Sequence, residues 1–193
     1  MTLTREDLFS LEKYSAIKTE FRAKVMEHKK SRRVPIGKHA ALYFEDALTM
    51  QYQVQEMLRA EKMFESAGIQ EELDAYNPLI PDGSNWKATF MIEFGDVEQR
   101  REALAQLIGI EQKVWVKVGD GEPVWAIADE DLERETEEKT SSVHFLRFEL
   151  TSEMIKAVKQ GAAIGMGIDH DAYRHSVPVL AENVRASLAA DLK

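Results

Sequence analysis

The chain has 193 residues, 44% hydrophobic and 31% charged, and contains no cysteine. That length suits a single domain with one sizeable core, and the missing thiols exclude disulfides, cysteine nucleophiles, thiolate-held zinc and cysteine-ligated iron–sulfur clusters. The net charge of −9 is uneven: residues 1–38 carry ten Lys/Arg against five Asp/Glu, leaving the rest at −14, an acidic body that disfavours nucleic acid.

No run approaches the roughly 18 apolar residues of a membrane span. The N-terminal MTLTREDLFSLEKY lacks the basic-then-apolar layout of a secretory signal. Cytoplasm is the expected location.

In chain order, Thr4 and Asp7 have capping-box spacing, and Leu11, Tyr14, Phe21 and Val25 then fall on one helical face through about residue 29. HKKSRR follows, and Pro35 and Gly37 punctuate it. AALYFED reads as a short strand, and a helix is expected over 47–66, stopped by Gly68. GIQEELDAY reads as a second short helix, and NPLIPDGSN as a turn-rich loop. KATFMIEF then reads as a strand, and Asp96 caps a helix that stops at Gly109. VWVKV and PVWAIA flank GDGE as a hairpin. VHFLRFEL is a further strand and TSEMIKAVKQG a capped helix. This order predicts an α+β fold: an antiparallel sheet of about four to five strands with helices packed on it, and long helices at the N-terminal end. One domain is expected over 1–193, with 1–38 as a basic helical segment and 174–193 as an appended C-terminal helix.

The chemistry-bearing residues concentrate on the 47–66 segment. Met50, Val54, Met57, Leu58 and Phe64 form a stripe with Glu61 inside it and Glu65 at its edge. A carboxylate within an apolar stripe must be paired, protonated or metal-bound. Glu61 and Glu65 at i,i+4 suit a divalent ion or acid–base work, whereas the structural alternative pairs Glu61 with Arg147. Gln51 and Gln55 (with Gln53) offer amides to a ligand or to the crossing loop 77–85. Asn77, Asp82 and Asn85 suit either a well-tied turn or a ligand-binding loop.

His144 alternates onto the face of Leu146, Phe148 and Leu150, as a satisfied core histidine or, alternatively, a ligand or base. Asp169, His170, Asp171, Tyr173 and His175 cluster after GAAIGMG, without the spacing of a known metal motif. GAAIGMG follows a helix, unlike a dinucleotide loop, and its small residues suit close packing or a helix end. The basic run supplies Lys29, Lys30, Arg32 and Arg33, candidates for a partner or phosphate contact; equally, they complement a helix C-terminus. The acidic run 129–139 reads as a solvated loop or short helix, and the two runs are able to attract each other across a homodimer.

The blocks HKKSRR, FEDALTMQYQVQEM, GIQEELDAYNPLIPDGSN, ADEDLER, EKTSSVHFLRFEL and GIDHDAY resemble the signature of a bacterial family catalogued as a domain of unknown function, over about residues 3–173. The resemblance implies a gene neighbourhood of rubrerythrin-like and iron–sulfur reductase-like proteins, and hence peroxide or oxidative-stress handling. It carries no assigned catalytic residues. Two functions follow. One is a cofactor-free accessory component recognising a rubrerythrin-like or iron–sulfur redox partner. The other is a small enzyme or binding protein holding one Fe, Mn or Zn through Glu61, His144 and His170. A small-molecule sensor using the Gln51/Gln55 face is a third.

Overall fold

The structure is a computed structural model that describes residues 1–130, 136 and 138–193. It is α+β, with six α-helices and nine strands in two antiparallel sheets among the described residues. The N-terminal residues turn once through a 3-10 helix at Arg5–Asp7, carrying the expected Thr4–Asp7 capping box. Helix α1 then runs Leu11–Lys30 from a Ser10 cap, burying Tyr14, Phe21 and Val25. Strands β1 (Arg33–Pro35) and β2 (Ala40–Phe44) precede helix α2 (Ala47–Ala60) and helix α3 (Ser66–Tyr76).

Strand β3 (Asn85–Ile92) leads to helix α4 (Val97–Gln106), capped by Asp96 as expected. Strands β4 (Val114–Val118) and β5 (Val124–Trp125) form the expected hairpin. One residue later the chain continues as β6 (Ile127–Ala128) in the other sheet. Strand β7 (Val143–Glu149), helix α5 (Ser152–Lys159), strands β8 (Ile164–His170) and β9 (Tyr173–Val177) and helix α6 (Glu182–Ala189) complete the order. The sheets read β1-β2-β3-β7-β6 and β5-β4-β8-β9.

One apolar core draws on both sheets. Leu42, Phe90 and Phe148 of the first meet Val116, Met166 and Ile168 of the second, and Leu104, Val158 and Leu188 add helix contacts. Helices α1 to α3 keep separate apolar clusters, one around Val54, Leu58 and Leu73 and another around Tyr14, Phe21 and Val25. No helix of the described residues is long and apolar enough to cross a membrane.

Three expectations change. GAAIGMG opens strand β8, so there are two sheets where one was expected. Its glycines hide the alternation, and they are there for closeness: a Cβ at Gly165 would meet the Pro178 carbonyl oxygen at 2.5 Å, and one at Gly167 would strike the Trp115 ring. Helix α2 stops at Ala60, and Gly68 lies inside α3. Lys62 takes a left-handed φ of 52°, and Lys62 N and Met63 N donate to the Arg59 and Leu58 carbonyls at 3.3 and 2.8 Å. That is a Schellman stop with lysine in the glycine position. Finally, residues 174–193 are woven into the fold. Residues 173–177 form a strand, Leu188 is fully buried, and its carbonyl accepts from Trp86 Nε1 at 2.9 Å.

Candidate functional site

The register of the first sheet places two rows on the face turned away from the core. Arg33, Tyr43, Thr89 and Phe145 make one row, and Pro35, Ala41, Met91 and Val143 the other. Helix residues face these rows: Met26, Lys29 and Lys30 from α1, Met50 and Gln53 from α2, and Tyr76 at the end of α3 with Leu79 just beyond it. A cleft of about 900 Å³ lies between them. It falls within the roughly 300–1,000 Å³ of small-molecule sites, which are mostly apolar with a few placed polar groups. A smaller hollow of about 280 Å³ adjoins it, sharing Glu45, Leu79 and Phe145 and reaching Lys87, Glu130 and Arg147.

The polar groups of the cleft are unevenly placed. Lys29, Lys30 and Arg33 stand at the α1 end. Glu45 stands where the cleft meets the smaller hollow, one carboxylate oxygen accepting from the Thr89 hydroxyl at 2.9 Å. Tyr43 donates to Glu93 at 2.6 Å and accepts from Arg33 Nε at 3.0 Å. Burial and the Glu93 carboxylate hold its phenol above the ordinary value. Among the described residues, Glu45 is the single carboxylate lining the main cleft.

The structure disperses the residues that the sequence suggested as one polar pocket. Gln51 Nε2 donates to the Asp7 carbonyl at 2.7 Å. Gln55 is fully buried and holds both the N–H and the carbonyl of Phe9, at 2.6 and 3.3 Å. Asn77 does the same for Leu3, at 2.7 and 2.9 Å. These amides tie down the N-terminal segment instead of the 77–85 loop. Asp82 caps Ser84, and Asn85 accepts from Asp82 N and donates to Glu149.

Glu61 is exposed at the end of α2, because that helix stops before the stripe reaches it, and Phe64 is 75% exposed. Glu65 lies outside α2, at the cap of α3, so the two carboxylates share no helix face. Arg147 pairs with Glu130 and Glu149, not with Glu61. Arg32, expected to contact a phosphate or partner, is 2% exposed and bound to Asp191. Of the acidic run, residues 131–135 and 137 lie outside the described residues.

His144 is a core histidine on the expected face. Its Nδ1 meets Asp129 Oδ2 at 2.5 Å, and its Nε2 lies 3.0 Å from both the Thr140 hydroxyl and the Ser141 carbonyl. Asp129 also accepts from Phe145 N at 2.9 Å. Hydroxyl, imidazole and carboxylate in this order match the layout of an activated nucleophile. Thr140 and His144 are 2% and 0% exposed, however, and neither lines the cleft or its adjoining hollow. The group ties β7 to the segment before it.

His170 Nε2 donates to the Ile108 carbonyl at 3.0 Å, and its Nδ1 accepts from Ala172 N at 3.1 Å, so both ring nitrogens are engaged. Glu61, His144 and His170 therefore sit in three different surroundings. Among the described residues, no group of three or more His, Asp or Glu is placed to hold a metal ion.

Fold and cleft thus define a two-sheet α+β protein with a mostly apolar cleft between its first sheet and helices α1–α3. The chain belongs to the DUF3501 family, described as protein of unknown function, whose pattern matches residues 2–192. It is also similar to a crystallised novel protein of unknown function from Burkholderia pseudomallei K96243, with 54% identity and a TM-score of 0.94 over 100% of both chains. No curated protein matches it. The cleft was missed in the sequence because its walls come from seven separate segments. One signal was available: Val143 and Phe145 are apolar on the face of β7 opposite the core, as on a strand covered from both sides.

Proposed function

We propose that this protein is a binding component of a rubrerythrin-linked peroxide or oxidative-stress system in the cytoplasm, taking a small organic ligand in the cleft between α1–α3 and the first sheet. The resemblance in its sequence blocks suggests the system. Composition suggests the division of labour: without cysteine, the chain leaves electron transfer to a rubrerythrin-like or iron–sulfur partner. The cleft of about 900 Å³ carries the binding reading. Its lining is largely apolar, and the hydroxyl–imidazole–carboxylate group lies outside it, which favours holding a ligand over transforming one.

Nile red, a neutral apolar dye, tests the binding half. Saturable binding at one site per chain, lost in the cleft-filling variant Val143→Trp while circular dichroism stays unchanged, is the expected result. Absence of saturable binding, or equal binding by Val143→Trp, overturns it. For the system, affinity capture from the native host should recover a rubrerythrin-like or iron–sulfur protein. A deletion strain with unaltered peroxide tolerance, together with no such capture, would refute that assignment.

A further inference from the structure

We propose that the ligand of this cleft is an anionic amphiphile, an apolar body with one carboxylate-type head, bound with its head at the α1 end. This rests on the reading of the cleft as a ligand site. Charge along the lining gives the polarity. Arg32 is neutralised by Asp191 and takes no part. Lys29, by contrast, makes no ion pair among the described residues; its ammonium stands 5.6 Å from the Tyr52 ring centre. The Lys30–Glu27 pair is more than two-thirds exposed on both sides, and Arg33 reaches Glu93 only at 3.4 Å. Exposed pairs of this kind hold their partners weakly, so three cations at one end remain free to receive an anion.

The boundary with the smaller hollow repels one. Glu45 presents a carboxylate where the main cleft meets the smaller hollow. Arg147 beyond it is already committed to Glu130 and Glu149. An anionic head at the boundary with the hollow would meet Glu45, and a cationic head would meet the α1 lysines; an anion held by Lys29, Lys30 and Arg33 avoids both conflicts. Met26, Met50 and Met91 also line the cleft. Methionine is unbranched and adapts to irregular shapes, so the cleft selects for amphiphilic character more than for one rigid outline.

The test displaces Nile red from the full-length protein with dodecanoate, dodecanol and dodecylammonium, each below its micelle concentration. Dodecanoate is expected to compete at about fivefold lower concentration than dodecanol, with dodecylammonium weakest, a margin fitting one favourable charge contact. The double variant Lys29→Glu, Arg33→Glu should erase that order while still binding Nile red. Equal competition by the three heads, with dye binding intact, overturns the anionic assignment and leaves the cleft as a ligand site. Loss of all dye binding in the unaltered protein overturns both. Dodecanoate binding that survives Val143→Trp places the head group elsewhere and also overturns the assignment.

Discussion

Arg32 and Asp191, 159 residues apart, meet in a two-pronged ion pair with Nη2–Oδ2 at 2.6 Å and Nη1–Oδ1 at 3.2 Å. Arg32 also donates to the carbonyls of Phe44, Glu45 and Ser187, so the end of α1, the end of β2 and the C-terminal helix converge on one guanidinium. Burial, with Asp46 adding, holds the Asp191 carboxyl above its ordinary value against the pull of Arg32. A raised carboxyl favours the fold fully below its unfolded value and less as pH rises through the folded one. The pair is therefore a poor source of net stability, yet costly to split.

Asp191→Ala should cost about 2 kcal/mol in urea unfolding, since it leaves a buried guanidinium with only Asp46, at 3.5 Å, as its counter-charge. The double replacement Arg32→Met, Asp191→Leu should recover little of that loss, because the Phe44, Glu45 and Ser187 carbonyls and the Asp46 carboxylate lose their cationic partner with it. Asp171→Ala, at an exposed pair with Arg174, should change stability by less than about 0.5 kcal/mol. A single Asp191 variant as stable as the Asp171 control would contradict the role given to Arg32.

Tyr14 predicts an alkaline limit. Its hydroxyl donates to Glu56 Oε1 at 2.7 Å, and burial, reinforced by Glu56, pushes its phenol well above 10.0. Between the ordinary and the folded value, the unfolded chain loses a proton that the native state keeps. Stability is therefore intact below about pH 10 and falls as pH rises beyond it. Tyr14→Phe should cost about 1 kcal/mol at neutral pH through the lost hydrogen bond. Above pH 10 its decline should be shallower than that of the unaltered protein, as followed by thermal melting across pH; a parallel decline would argue against Tyr14 as a source.

Where side chains alternate or cap, the sequence was readable. VHFLRFEL placed His144, Leu146 and Phe148 inward, and Asp96 and Thr151 marked true helix starts. Where one residue type stood in for another, it was not. The end of α2 was invisible because Lys62 does what glycine usually does, and the carboxylate Glu61 was misplaced with it. The amides of Gln55 and Asn77 read as partners for a ligand or for the 77–85 turn, and sequence distance hides the N-terminal segment that they hold.

Lys62 follows from that stop. A non-glycine residue held at a φ of 52° bears a steric cost of roughly 1–2 kcal/mol, and glycine's extra unfolded-state freedom returns roughly 0.5–1 kcal/mol of it. Lys62→Gly should accordingly stabilise the protein by about 0.5 kcal/mol. Lys62→Val should destabilise it, since branching at Cβ worsens the clash. A loss on introducing glycine would mean that the lysine side chain supplies a contact outweighing its backbone strain.

Gln55 and Glu61, on one helix and just past its end, make a direct contrast. Gln55→Ala leaves the buried Phe9 N–H and carbonyl without their amide and should cost about 2 kcal/mol or more. Glu61→Ala removes only an exposed carboxylate beyond the helix and should stay within about 0.5 kcal/mol. Limited proteolysis gives a second readout, because Gln55→Ala should speed cleavage within residues 3–9 while Glu61→Ala leaves it unchanged. Equal unfolding midpoints for the two variants would reverse this assignment.

The second sheet turns on Gly167, whose register partner on β4 is Trp115. With no side chain at Gly167, the indole lies down over the strand, and a Cβ there would run into the ring itself. An aromatic covering a strand glycine restores the apolar contact that the glycine lacks. Gly167→Ala forces the indole off the strand and should cost about 1–3 kcal/mol, with a change in tryptophan emission as Trp115 moves toward water. Trp115→Ala removes the covering surface and should cost a similar amount. In the double variant the alanine methyl no longer meets a ring, so its loss should fall short of the sum of the single losses by at least about 0.5 kcal/mol. Strict additivity across that cycle would mean that glycine is kept at 167 for a reason unrelated to the indole.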